Sequence, residues 1–340
     1  MKNTSIIPTQ NWAGLFTLSI RFVIGWTYFS AFWRRLVLEN KLDPEQVGYI
    51  GEKFNHFIPN ALGIKPMIEF LVTNPDHLWY SMVAFTIIEG IVGLFLILGF
   101  FTRLMSIGVF MLAMGILLGS GWIGTTCLDE WQIGVLGIAS GFTLFFSGSS
   151  YYSLDYYFMQ KKFNFTKTNW FKWLGSGELQ FAKIKPIILT GALLIFGLTL
   201  YTNQFFHGGV FGTLHNKSVK PKVEISDFTI GENEIKFQLY RVEGVDVYGS
   251  FLIGIDLLDA DNNGIMALNQ DELATLSTDV IKNIYIAKIK PGIHSLIIPL
   301  GSKADLTLPI DTTKLTKGKK YTLKLTDISG ITWTAETIFK

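Results

Sequence analysis

Five long apolar runs, most edged by aromatic residues, dominate the first 205 residues, and short alternating runs take over from Val223. The first run extends from Trp12 to Trp33. Its 21 steps cover about 32 Å at the rise of an α-helix, enough for a hydrocarbon core. The others are residues 78–101, 104–121, 131–147 and 186–203. Lipid offers a backbone no hydrogen-bonding partner, so such runs must close their own bonds as helices. Glycines recur inside them at Gly90, Gly93, Gly108, Gly115, Gly119, Gly134, Gly137 and Gly141. Small residues at these spacings let helices approach closely. The expectation is a membrane α-helical bundle: four helices form the core, and the fifth, beyond a 38-residue loop, is an anchoring helix.

From Val223 the apolar period is two. Candidate strands are 223–230, 234–242, 250–259, 283–289, 294–300, 305–310, 321–327 and 332–339, with Ser329-Gly330 as one hairpin turn. Short strands at this density predict an all-β sandwich of immunoglobulin-like architecture without its disulfide. The domain division is 1–165, 166–205 (linker and fifth helix) and 206–340. The segment 207–222 is rich in glycine and polar residues and reads as the linker to the sandwich. Asp259, Asp261, Asn263 and Gly264 match the opening of a calcium loop, but position twelve is Gln270 rather than Glu. An Asn-Gly hairpin turn is the stronger reading. Between the first two spans, residues 44–59 and 65–72 have the amphipathic pattern of short helices, lying at the membrane interface or forming a folded cap.

Charge then sets orientation. The 148–185 loop carries six lysines (161, 162, 167, 172, 183 and 185) against Asp155 and Glu178, which assigns it to the cytoplasm. The N-terminus then lies inside, and the outer loops and the strand-rich domain lie outside a multi-pass protein of the cell (inner, cytoplasmic) membrane. Arg34 and Arg35, at the outer end of the first span, run against this pattern and suggest a task of their own. Overall, 49% of the 340 residues are hydrophobic and 16% charged, with a net charge of +2. No basic tract is suited to phosphate tracking, so nucleic acid is a poor partner. The single cysteine, Cys127, excludes an internal disulfide and a cysteine metal cage. No clear cleavage site follows the weakly charged N-terminus.

Polar groups inside the spans are the candidate chemistry. Arg21 and Glu89 lie where an ionisable group is costly unless it is paired or hydrated. Counted from the span ends, their depths admit an ion pair that either fixes helix register or lines a pocket for a quinone headgroup or a proton path. Cys127 is a buried thiol or a reactive thiolate, although Asp129 and Glu130 oppose the latter. Arg34, Arg35, Lys53, His56 and His77 are candidates for attracting an oxyanion. No haem, flavin, nicotinamide or metal signature is present.

The runs 21–35 (RFVIGWTYFSAFWRR), 87–104 (IIEGIVGLFLILGFFTRL) and 121–155 resemble the DoxD-type subunit, taken as the large one, of thiosulfate:quinone oxidoreductase, among the DoxX-like four-helix membrane proteins. The runs 240–259, 283–309 and 320–336 resemble its DoxA-type small subunit, a single helix followed by an extracytoplasmic domain. The resemblance implies a fusion of two subunits, with the fifth helix as the small subunit's anchor. It implies oxidation of thiosulfate to tetrathionate, with membrane quinone as electron acceptor; no metal is expected from the residues themselves. Within that activity the expected roles are Arg34 and Arg35 for thiosulfate, Glu89 for quinol protonation, Arg21 to orient Glu89, and Trp122 or Trp131 as a quinone platform. The partners are lipid, the quinone pool and thiosulfate, and a homo-oligomer is compatible with such a bundle. A non-catalytic partner in a redox assembly, or oxidation of another sulfur or thiol donor, stays open.

Overall fold

The structure, a computed structural model, describes residues 9–46, 48–124, 129–245 and 249–340. It divides into two compact units, one of residues 1–49, 79–121 and 128–215, the other of residues 50–78, 122–127 and 216–340.

The first unit is helical. It contains α1 (Thr9–Phe16), α2 (Leu18–Phe32) and a π-helical turn, Trp33–Leu38. Two helices of the second unit, α3 (Gly51–Phe57) and α4 (Lys65–Thr73), come next in the chain. Then follow α5 (Pro75–Leu98), α6 (Thr102–Ser120), α7 (Asp129–Ser147), α8 (Leu154–Gln160), α9 (Asn169–Leu174) and α10 (Phe181–His207). Among the described residues, three helices are long and apolar enough to cross a membrane: α5, α6 and α10. The protein is therefore a multi-pass membrane protein with an N-terminal helical region. The first expected span is not one helix. It is interrupted at Thr17, whose amide (3.1 Å) and hydroxyl (3.0 Å) share the Ala13 carbonyl while the hydroxyl also reaches Ser147 (3.1 Å), the kind of side-chain back-bonding that bends a helix.

Glycine determines how closely these helices approach. A side chain at Gly93 of α5 would collide with the Phe29 backbone nitrogen of α2, so the two helices meet backbone to backbone. On α7, Gly134, Gly137 and Gly141 lie on one face against Leu117, Ala113 and Phe110 of α6. Tyr28, Val92, Leu96, Val109, Leu112 and Leu144 fill the space between α2, α5, α6 and α7. By contrast, only 6% of the most apolar window of α10 is buried.

The second unit is built on two antiparallel sheets. Its strands are β1 (Lys222–Ile230), β2 (Glu234–Glu243), β3 (Ser250–Leu258), β4 (Gly264–Asn269), β5 (Ile281–Asn283), β6 (Lys290–Pro291), β7 (Leu296–Ile298), β8 (Lys303–Pro309), β9 (Lys320–Asp327) and β10 (Thr332–Ile338). One sheet runs β1-β2-β8-β5; the other runs β10-β9-β3-β7-β6, with β4 also on β3. The period of two buries alternate residues, as in Leu306 opposite Phe237 and Leu323 opposite Leu257. These four belong to one apolar core shared by both sheets.

Two local expectations change. Residues 284–289 alternate like a strand, burying Tyr285, Ala287 and Ile289, but they are not one. The Ala287 and Ile289 amides donate to the side chains of Asn55 and Asn283 instead of to a neighbouring strand. A short helix, α11 (Gln270–Ala274), was not expected; Asn269 and Glu272 close it with a reciprocal capping box. The Asp259–Gly264 run is the β3–β4 turn. Its Asp259 carboxylate accepts from the amides of Asp261 (2.9 Å) and Asn263 (2.8 Å) and from the Asn263 side chain.

The amphipathic segments between the first two expected spans do form helices, α3 and α4, and they fold within the strand-rich unit. Ile58, Ile68 and Val72 bury against Tyr285. Asn55, fully buried, donates to the Gly301 carbonyl (3.1 Å) and accepts from Ala287. Gly301 has φ +72°, and a side chain there would strike the Asn55 carbonyl, so glycine is required on both counts.

Candidate active site

Glu89 projects from α5 into the apolar interior of the helical unit and is 3% exposed. Its partner is Arg35, whose Nη1 hydrogen-bonds Oε2. Arg35 stands on the π-helical turn that ends the α2 helix. A π turn inserts extra residues per turn and rotates the side chains that follow, a device common at functional sites. The adjacent Arg34 is exposed, holds the Ser30 carbonyl through Nε (3.2 Å), and adds to the positive field at Glu89. Tyr28, 5% exposed, is within electrostatic reach of Glu89. A side chain at Gly137 would come within 3.5 Å of its hydroxyl. Buried Glu89 and Tyr28, half-buried Arg35 and exposed Arg34 thus form one polar cluster. Sequence reasoning missed Tyr28, although its position seven residues before Arg35 on the same helical stripe was a usable signal.

The expected Arg21–Glu89 pair does not form. The α2–α5 register places Phe32 beside Gly90, Phe29 beside Gly93, and Arg21 beside Gly99. Arg21 and Glu89 are therefore separated by about ten residues along α5, or about 15 Å. Depths counted from apolar run ends erred because the first run is longer than the segment that packs against α5. Arg21 instead donates through Nη2 to the Tyr152 carbonyl (2.7 Å).

The remaining expected residues are distributed differently. Lys53 is exposed and His56 buried, both on α3, while His77 is exposed and meets Phe70 edge-on. These three belong to the strand-rich unit, whereas Arg34 and Arg35 belong to the helical unit. Trp122 is fully enclosed, with its indole N–H on the Phe57 carbonyl (3.2 Å). Trp131 is half-buried on α7 and donates to Thr202 of α10 (3.0 Å). Cys127 lies outside the described residues. Among the described residues, no group of three or more His, Cys, Asp or Glu is placed to hold a metal.

A second polar cluster, which the sequence did not suggest, sits where α4 meets β2 and β8. The ammonium of Lys303 is 5.7 Å from the Tyr240 ring centre and 6.0 Å from that of Tyr285. Lys65 is 5.9 Å from Tyr240. The Tyr285 hydroxyl donates to Glu69, and the buried Tyr240 hydroxyl has no partner. Burial first, and then the nearby Glu69 carboxylate, hold the Tyr285 phenol above its ordinary range. Burial, Tyr285 and Glu69 do the same to Tyr240. Both rings stay neutral, and neither lysine has an ion pair among the described residues.

A family model described as TQO small subunit DoxD matches residues 16–182, and one described as TQO small subunit DoxA matches residues 206–336. The chain is a DoxD–DoxA fusion of the thiosulfate:quinone oxidoreductase (TQO) family. It is a thiosulfate dehydrogenase that passes electrons to quinone. Both halves carry the description of small subunits, where the sequence reading took the DoxD half as the large one. Most of α10 falls between the two matched segments.

Quinone is the electron acceptor of this TQO chain, and its two demands can be tested on the helical unit. A tail needs an apolar groove. One of about 390 Å³ lies between α7 and α10 at Phe142, Pro186, Ile187 and Gly191, and one of about 270 Å³ between α6 and α7 at Phe110, Gly141, Phe142 and Phe145. A headgroup needs hydrogen-bonding groups. Ser106 lines the second groove, but its hydroxyl is occupied by the Thr102 carbonyl (2.6 Å). Neither Glu89 nor Arg35, the ion pair of the α2–α5 contact, lines these grooves.

Proposed function

We propose that this TQO chain joins two thiosulfate ions into tetrathionate and delivers both electrons to a quinone whose headgroup is received at Arg35 and Glu89. Each thiosulfate loses one electron as a sulfur–sulfur bond forms between them. The quinone takes the two electrons and two protons and leaves as quinol. The observation that carries the quinone half is the buried Arg35–Glu89 pair on the π turn. A guanidinium can donate to a quinone oxygen, and a carboxylate beside it can relay the required protons. Tyr28 lies within reach to extend that relay, and the apolar grooves suit an isoprenoid tail, with Trp131 at the start of α7.

Thiosulfate is a dianion, and Arg35 is already neutralised by Glu89. The better-supported anion site is the lysine–tyrosine cluster of Lys65, Lys303, Tyr240 and Tyr285. Among the described residues its two ammoniums form no ion pair, the nearby Glu69 carboxylate is engaged by the Tyr285 hydroxyl, and the free Tyr240 hydroxyl offers a hydrogen bond. Arg34 is the alternative cation.

In the same reading, α2, α5, α6 and α7 form a four-helix core with α10 as anchor. The two sheets form a sandwich, and the functional division follows 1–165, 166–205 and 206–340. The lysine-rich 148–185 loop and the N-terminus face the cytoplasm, and the strand-rich domain is extracytoplasmic.

Detergent-purified protein, supplied with thiosulfate and a short-chain quinone, tests both halves. Lys65→Ala/Lys303→Ala should raise the thiosulfate KM at least about tenfold, a loss of about 1.4 kcal/mol in binding. Glu89→Gln should lower kcat with little change in KM. An unchanged KM in the lysine variant, with a raised KM in Arg34→Ala, would move the anion site to Arg34.

A further inference from the structure

Arg21, released from Glu89 by the helix register, is an unusual group. It is 1% exposed and its guanidinium lies 5.1 Å from the Phe22 ring centre, yet only Nη2 is hydrogen-bonded, to the Tyr152 carbonyl; Nε and Nη1 have no hydrogen-bond partner. Arg103, fully buried near the same end of the helical unit, spends Nε on the Phe145 carbonyl (2.8 Å) and Nη1 on the Lys172 and Gly177 carbonyls. Its Nη2 is also without a partner. The Ser150 hydroxyl is buried and unpartnered as well. Ser150 is tied to the Arg21 surroundings through Ser153, which donates to the Ser150 carbonyl (2.6 Å) and shares the Gly99 contact with Arg21.

The charges do not balance. Asp155 is the acid in the field of both arginines, but neither forms an ion pair with it. Its oxygens accept instead from the Phe101 and Thr102 amides, the Thr102 hydroxyl and Ser176, at 2.7–3.0 Å. Burial also pushes the Asp155 carboxyl up from the ordinary carboxylate range, against those hydrogen bonds. A guanidinium stays charged. Two buried positive groups therefore face one saturated carboxylate, with N–H donors left over. Buried donors and charges are rarely left this way without a ligand or water.

We propose that Arg21, with Arg103 adding positive field, binds an oxyanion: the phosphate of an anionic membrane lipid. The same loop argues for lipid as the source. Tyr152, Tyr157, Trp170 and Trp173 present exposed rings, as residues at headgroup level do, and six lysines lie within residues 148–185. The bidentate fork of arginine suits phosphate oxygens.

The test uses the full chain in a neutral detergent, delipidated and then supplied with phosphatidylglycerol, phosphatidylcholine or inorganic phosphate. Melting temperature and lipids retained in native mass spectrometry are read. Phosphatidylglycerol should raise the melting temperature by roughly 5 °C and stay bound, and phosphatidylcholine should do neither. Arg21→Gln should abolish both effects, while Arg34→Gln should keep them. Arg21→Lys, which keeps charge but loses the fork, should weaken them and serves where the glutamine variant does not fold. Stabilisation by inorganic phosphate alone would keep the oxyanion site but reassign its source. No anion effect on wild-type protein, or equal effects in wild type and Arg21→Lys, would overturn the proposal.

Discussion

Replacing Arg35 by glutamine removes the positive charge in contact with Glu89, a carboxylate 3% exposed. Breaking a fully buried ion pair on one side costs about 3–5 kcal/mol, because the surviving charge stays desolvated. The Arg35 side chain is 23% exposed, so water screens part of the interaction and about 2–3 kcal/mol is the better figure. Glu89→Gln leaves the Arg35 charge instead, which keeps partial contact with solvent, and costs less. The double variant carries two neutral amides that can bond one another, so its stability should return to within about 1 kcal/mol of wild type. Activity should behave differently. If Glu89 relays protons, Glu89→Gln loses about 10²–10⁴ in turnover, and the double variant recovers none of it. Chemical denaturation in detergent reads stability, and absorbance of the soluble quinone reads turnover. A double variant that regained activity together with stability would show that the pair only fixes the α2–α5 register.

Three further outcomes follow from particular contacts. Asn55→Ala strands the buried Gly301 carbonyl and Ala287 amide, at a cost of about 2–4 kcal/mol, and should speed hydrogen exchange across 284–289; unchanged exchange there would contradict the bonding described. Tyr285 has its phenol raised in the folded state, so its stabilisation is complete below the unfolded value near pH 10 and is lost as pH rises further. Melting curves from pH 9 to 11 should fall less steeply for Tyr285→Phe, and parallel curves would sink that account. Gly93→Leu forces α2 away from α5 and should yield protein that aggregates on extraction, whereas normal monodisperse behaviour on gel filtration would refute the close contact.

The sequence by itself determined that there is a membrane part, because long apolar runs such as 78–101 can satisfy their backbones in lipid only as helices. It also determined the strand-rich half, because alternation in runs such as 320–327 must bury one face. Family membership was legible in the runs around Arg21, Glu89 and Ser250. What tertiary structure decided was pairing. Arg21 and Glu89 looked compatible by depth, but register is set by glycines that let α2 and α5 touch, and those contacts place Arg35 at Glu89. The 284–289 segment shows the same limit: alternation reports which side chains are buried, not which partner takes the backbone amides. The lysine–tyrosine cluster joins Lys65 to residues 240, 285 and 303. Long-range contacts of that kind leave no periodic trace, because no local spacing encodes which loop packs on which strand.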